Sequence, residues 1–331
     1  MIHGCEETLS PLPLTRRAPR ISYRKTDVQT ALDTPGTLAL FGFGTGAAPT
    51  DDPRYLQVAL ESFDAPPPLE IWQVDGDVSH GTEGDLHWSH GGGCLFAALD
   101  LDESQHGGPA ATAKLAYEQL NQLVTAQGAR YVLRIWNYLG AINQGDGDSE
   151  HYKRFCDGRA SGMGDFFAEG FPAATAIGHH GAADRLQIYL LASDQPGTRV
   201  ENPRQVSAWC YPRQYGLTPP SFARAMILPA EDALAISGTA AVVGHASAHH
   251  DDLLAQLEET LLNLESLLDS AGMPAGFDTH SPLKAYIRHA ADAAPVRQFL
   301  RQRLPGVPVL LLHGDICRSE LLVEIDGWRY A

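Results

Sequence analysis

The chain has 331 residues, 44% hydrophobic and 19% charged, a globular balance that excludes disorder over most of its length. At roughly 100–200 residues per domain, two domains are expected. Lys and Arg number 24 against 40 Asp and Glu, a formal charge of −16 with no basic run. Phosphate neutralisation needs Lys and Arg, so nucleic acid is disfavoured as a partner, while a few buried arginines would still suffice for a small anion.

In chain order, residues 1–34 are rich in Pro, Thr and Arg without periodicity and read as an extended lead-in. Thr37–Phe43, Leu69–Val74 and Cys94–Leu101 are expected strands. Ala111–Gln127 places Tyr117, Leu120, Leu123 and Val124 at helical intervals and stops at Gly128, and the alternating run Tyr131–Tyr138 follows it. Leu186–Ala192, Phe222–Leu228 and Ala233–Val243 are the next expected strands. A second helix, Asp251–Ser270, carries Leu at 253, 254, 257, 261, 264, 267 and 268, stops at Gly272 and leads to a strand at Leu283–Ile287. Val307–Leu312 and Leu321–Ile325 complete the pattern. A long helix leading into a strand, twice in one chain, predicts two related α+β units. The stretch 193–220, with five prolines around WCYPRQYG, reads as a long connection of the kind that carries a site.

The five cysteines (Cys5, Cys94, Cys156, Cys210 and Cys317) are odd in number and contain no C-x-x-C pair, which points to a reducing compartment without disulfides or thiolate zinc. The N-terminus lacks the basic start and apolar core of a secretory signal. The longest aliphatic stretch, Val307–Leu312, is interrupted by Pro308 and falls short of the ~20 residues a membrane span requires. A cytoplasmic protein with no membrane partner is expected.

Four places could carry chemistry. In the tail, Leu321, Val323 and Ile325 share one strand face and Leu322 and Glu324 the other. Glu324 is then either a partly desolvated acid poised to donate a proton or a residue on the solvent face of an edge strand. Cys317 stands between Asp315 and Arg318, a setting compatible with a reactive thiol or with a small core residue. Tyr152–Arg159 (YKRFCDGR) sets Arg154 and Arg159 five apart around a glycine, and Tyr211–Tyr215 (YPRQY) is followed by Ser221–Arg224 (SFAR). Arginine presents a planar fork that suits carboxylates, so these clusters fit either a carboxylate pocket or surface ion pairs. His245, His249 and His250 with Asp251 and Asp252 look metal-like, but the aspartates stand where the Leu-rich helix needs its N-cap, and no H-E-x-x-H occurs. The glycine runs at 42–46 and 91–93 open no amphipathic helix, so they read as turns rather than phosphate loops.

Taken together, RIWNY at 134–138, YKRFCDGR at 152–159, PAATAIG at 172–178, SFARA at 221–225, the SGTA and VVGH runs within 237–245 and the DICR and ELLVEIDG runs within 315–327 resemble the chorismatases. The resemblance covers most of the chain from about residue 35. It implies two RidA/YjgF-like units, mixed β-sheets each packed by a long helix in a pseudo-trimeric, barrel-like arrangement, with a degenerate unit at 35–192 and a C-terminal unit at 193–331 carrying the catalytic strand.

The resemblance also implies chorismate as substrate, cleavage without a metal or cofactor, and Glu324 as the acid that protonates the enolpyruvyl methylene before pyruvate leaves. It assigns Arg154, Arg159 and Arg224 to the substrate carboxylates and Tyr211 to the pocket wall. Cysteine seven positions before the glutamate, here Cys317, marks members that form hydroxybenzoate, so 3-hydroxybenzoate, with 4-hydroxybenzoate as a possible co-product, is expected for quinone or pigment biosynthesis. A second product-determining small residue is placed at Ala240. The alternatives are a hydrolase giving the cyclohexadiene diol, a RidA-like enamine/imine deaminase and a small-acid binding protein. Monomer and homo-oligomer are both compatible with the sequence.

Overall fold

The computed structural model describes residues 17–331; Cys5 and the rest of residues 1–16, including the start of the expected lead-in, lie outside the described residues. The described part holds five α-helices: α1 (Val28–Leu32), α2 (Pro109–Ala126), α3 (His151–Met163), α4 (Leu253–Ser270) and α5 (Ala293–Arg303). Pro109 opens α2, where a missing N–H costs nothing. Asp252 caps α4 by accepting from the Ala255 N–H at 3.0 Å, the role its position predicts. The leucines at 257, 261, 264, 267 and 268 form the buried face of α4.

The fold is α+β and framed by three sheets, beside which Val242–Val243 and Ala246–Ser247 form a two-stranded ribbon. One seven-stranded sheet runs Asp315–Ile316, Ala173–His179, Tyr131–Gly140, Arg185–Ser193, Cys94–Asp102, Leu86–Gly91, Ser79–Glu83. The other runs Glu61–Ser62, Val309–His313, Leu283–Ile287, Val323–Tyr330, Ala233–Ala240, Ala225–Ile227, Thr198–Val200. Read in these directions the two are the same topology, each with a single parallel pair joined through a helix, α3 in the first and α5 in the second. Each sheet takes its first strand from the other half of the chain. Arg185–Ser193 precedes the second long helix in sequence, yet it pairs inside the first sheet, between Tyr131–Gly140 and Cys94–Asp102.

In place of a wholly extended lead-in, residues 20–32 form the strand Arg20–Arg24 and helix α1. That strand joins Leu69–Gln73, Thr37–Phe43 and Tyr55–Val58 in a separate four-stranded sheet. All three sheets wall one core: Phe41 and Trp72 from the small sheet meet Phe96, Trp136 and Tyr189 from the first large sheet and Trp328 from the second. The helices cover the outer faces, α2 and α3 over the first large sheet and α4 and α5 over the second.

Two short helices were not legible as helices. In α3, Gly158 and Gly162 let its backbone touch α2: a Cβ at Gly158 would lie 2.0 Å from the Ala110 carbonyl oxygen and one at Gly162 would lie 2.4 Å from that of Lys114. Glycine there serves helix packing, although it lowers helix propensity and suggests a loop. Helix α5 buries only Val296 and Leu300, a stripe too narrow to read as amphipathic.

Candidate active site

Val323–Tyr330 is a central strand, paired with Ala233–Ala240 on one side and Leu283–Ile287 on the other. Glu324 is therefore not on an edge. Its side chain lies 6% exposed, opposite Ala240 and Tyr286 in the ladder. The room it occupies comes from a glycine. The ladder slips between Ile236 and Thr239, and a Cβ on Gly238 would stand 1.9 Å from Glu324 Oε1. Burial, helped by the nearby Asp326 carboxylate and opposed by Arg134, Arg224 and Arg318, pushes the Glu324 carboxyl up to about 8. At neutral pH it holds its proton.

Asp326, two residues on and on the same strand face, is fully buried. Its Oδ2 accepts from Trp136 Nε1 (2.8 Å), Thr175 Oγ1 (2.7 Å), Tyr286 OH (3.0 Å) and Arg134 Nη2 (3.1 Å). Arg134 and three neutral donors thus hold Asp326 in place behind the acid.

Glu324 opens onto a cavity of about 580 Å³ whose wall comes from α3, the loops around 143–150 and 205–222, and residues 317–321. Three guanidiniums reach it or its inner recess. Arg224 donates from Nη2 to Tyr211 OH (2.7 Å) and to the Val206 carbonyl (2.8 Å), and its Nε is buried without a partner. Arg318 donates to the His245 carbonyl (2.9 Å) and Ser247 Oγ (3.1 Å) and lies over the Tyr215 ring at 4.0 Å. Arg159 lines the recess beneath Glu324 and Cys317, and its Nε is also buried and unpartnered. None of the three forms an ion pair with a carboxylate among the described residues. Desolvated arginines with unused donors are built to receive an external anion.

Cys317 lies between the two large cores and lines both the cavity and the recess. Burial raises its thiol, and Arg318 only partly opposes that, so it is a neutral S–H rather than a thiolate.

The cavity or its recess thus brings together Glu324, Cys317, Arg159, Arg224, Tyr211 and Ala240. Arg154 is a correction. It and Arg159 are on helix α3 rather than in a loop, and five residues of helix turn them to different sides, so Arg154 is half exposed and faces Asp157 at 3.6 Å. The small residue against the acid's carboxyl is Gly238, while Ala240 is the direct ladder partner of Glu324. Arg318, Tyr152, Tyr215 and Phe222 also line the cavity and were missed as site residues. All four belong to stretches quoted above, Tyr215 closing YPRQY, so the signal was present without its direction. The histidines disperse: His249 meets Glu259, His250 the Ser247 carbonyl and His245 the Tyr215 hydroxyl. The described residues contain no helix long and apolar enough to cross a membrane.

A protonated carboxyl beside a three-arginine cradle can bind a small organic anion and deliver a proton to it. Residues 70–192 match the model of the family described as chorismatase FkbO/Hyg5-like, N-terminal. The chain is 35% identical over 299 residues to a 3-hydroxybenzoate synthase of Streptomyces hygroscopicus, covering 84% of this chain and 87% of that protein. It is 32% identical over 340 residues to a chorismatase of the same organism, covering 98% of each. A chorismatase crystal structure superposes with a TM-score of 0.82 at 32% identity, over 95% of this chain and 98% of that one. With this similarity over nearly its whole length, the chain belongs to the chorismatase family.

Proposed function

We propose that the protein converts chorismate to 3-hydroxybenzoate, with 4-hydroxybenzoate as a co-product, and pyruvate. The observation that carries this is Glu324: a carboxyl that keeps its proton at neutral pH, open to a cavity with three unpaired guanidiniums. Chorismate carries two carboxylates, one on the ring and one on the enolpyruvyl side chain, which suits Arg159, Arg224 and Arg318. Glu324 gives its proton to the enolpyruvyl methylene carbon, leaving an oxocarbenium ion. Its carboxylate then stabilises that cation until the bond between the ring carbon and the ether oxygen breaks, the ether oxygen leaving as the keto oxygen of pyruvate. The neighbouring ring hydroxyl supplies the oxygen that hydroxybenzoate keeps, and the ring proton lost on aromatisation returns to Glu324. The conversion of chorismate to hydroxybenzoate and pyruvate balances without net water, whereas the diol route consumes one. A neutral Cys317 beside the reacting ring favours the aromatic outcome by occupying space that an attacking water would need.

Two substitutions test these roles. Glu324→Gln keeps the shape and removes the acid, so pyruvate release from chorismate falls by about 10²–10⁴-fold with the folded-state circular dichroism retained. An unchanged rate removes Glu324 from the mechanism. Cys317→Ala opens the pocket and shifts product toward the diol; an unchanged product mixture contradicts the role given to Cys317.

A further inference from the structure

Residues 315–321 place Cys317 and Arg318 in the cavity, yet most of this segment has no sheet partner. Only Asp315 and Ile316 pair, with Gly178 and Ile177, and regular structure resumes at Val323. The backbone carbonyls around Cys317 therefore need partners from elsewhere. One side chain reaches three of them. Arg288 follows the strand Leu283–Ile287 and is largely buried, with 10% of its side chain exposed. It donates from Nε to the Leu321 carbonyl (2.8 Å) and from Nη2 to the carbonyls of Ile316 (2.8 Å) and Arg318 (2.9 Å). Its Nη1 donates to Asp315 Oδ1 (2.9 Å) and Asn143 Oδ1 (3.1 Å), and Asn143 also donates to the Ile316 carbonyl at 3.1 Å. All five guanidinium N–H groups are engaged, and four of the five bonds fall on this one segment.

We infer that Arg288 is a positioning residue that fixes the Cys317 thiol and the Arg318 guanidinium relative to Glu324 and so sets the product partition, an inference that rests on the chorismate-converting function proposed above. Arg288 does not line the cavity itself. It acts through the segment it clamps. Lysine keeps the charge but offers a single nitrogen, which cannot span three carbonyls spread over six residues.

The experiment compares the parent with Arg288→Lys by two readouts: the rate at which iodoacetamide alkylates Cys317, followed by peptide mass mapping, and the aromatic-to-diol product ratio from chorismate. Misplacement of a positioned group by about 1 Å is costly, so about fivefold faster alkylation and about a threefold change in product ratio are expected in folded Arg288→Lys. Arg297→Lys serves as the control, since Arg297 pairs with Asp64 away from the site, and it should match the parent in both. A folded Arg288→Lys protein with parental alkylation rate and product ratio overturns the inference. Where Arg288→Lys does not fold, Asp315→Asn removes the charge from one clamp bond and is read the same way: change supports the clamp, identity with the parent overturns it. Alkylation needs no substrate, so if the parent leaves chorismate untouched the function proposal fails while the thiol readout still decides the role of Arg288.

Discussion

Glu324 and Asp326 share a buried strand face, but their partners differ. Asp326 has Arg134 and three neutral donors; Glu324 is surrounded by arginines that hold it less closely than burial penalises its charge. A general acid works only while protonated. With the carboxyl pushed up to about 8, kcat/KM for chorismate is expected to be flat below that value. Above it, kcat/KM should fall about tenfold per pH unit, in a single-proton step. A decline centred near pH 4–5 would contradict this environment for Glu324. Arg224→Lys tests the cradle. Losing the planar fork and the Tyr211 bond should raise KM by about tenfold more than it lowers kcat, in steady-state kinetics. At this scale strand alternation among Leu322, Val323 and Ile325 left Glu324 open between a desolvated acid and a solvent-facing residue, and only the pairing on both sides of its strand shows that it is buried. Arg154 misled because direction on a helix depends on phase, and the glycines of α3 hid the helix that sets the phase.

The strand Val323–Tyr330 carries both the acid and the ion pair that ties the two large sheets together. Asp326→Asn leaves the Arg134 guanidinium, fully buried, without a counter-charge. Breaking such a pair costs about 3–5 kcal/mol, which denaturant unfolding at neutral pH would register. Glu324 links stability to pH in the opposite sense from a paired carboxylate. Its carboxyl rises on folding from 4.5 to about 8, so the folded state binds more protons between those values. The stability it contributes is complete below the lower value and lost as pH rises through the higher one. Glu324→Gln, which cannot ionise, should therefore gain stability relative to the parent as unfolding is measured from pH 5 to pH 8. The long helices α2 and α4 and the strand Leu283–Ile287 were legible because their periodicity is local. Pairing partners were not: the same strand pattern fits an edge and a centre, and only contacts between distant residues distinguish them.

Across the whole molecule, the two large sheets repeat one topology and exchange their outermost strands, with the four-stranded sheet as a third wall around the aromatic core. The cavity is a product of this arrangement. Glu324 and Gly238 come from the second sheet, Arg159 from a helix on the first, and Cys317 and Arg318 from the segment that leaves the exchanged strand Asp315–Ile316. The helix–strand repeat revealed the duplication, but the exchange rests on two-residue strands at 61–62 and 315–316 that carry no sequence pattern of their own. The most direct measurement is incubation of the purified protein with chorismate and chromatographic separation of the products alongside a pyruvate assay. Hydroxybenzoate, mainly the 3-isomer, with an equal amount of pyruvate is the predicted result. Untouched chorismate, or pyruvate accompanied only by the diol, would contradict it.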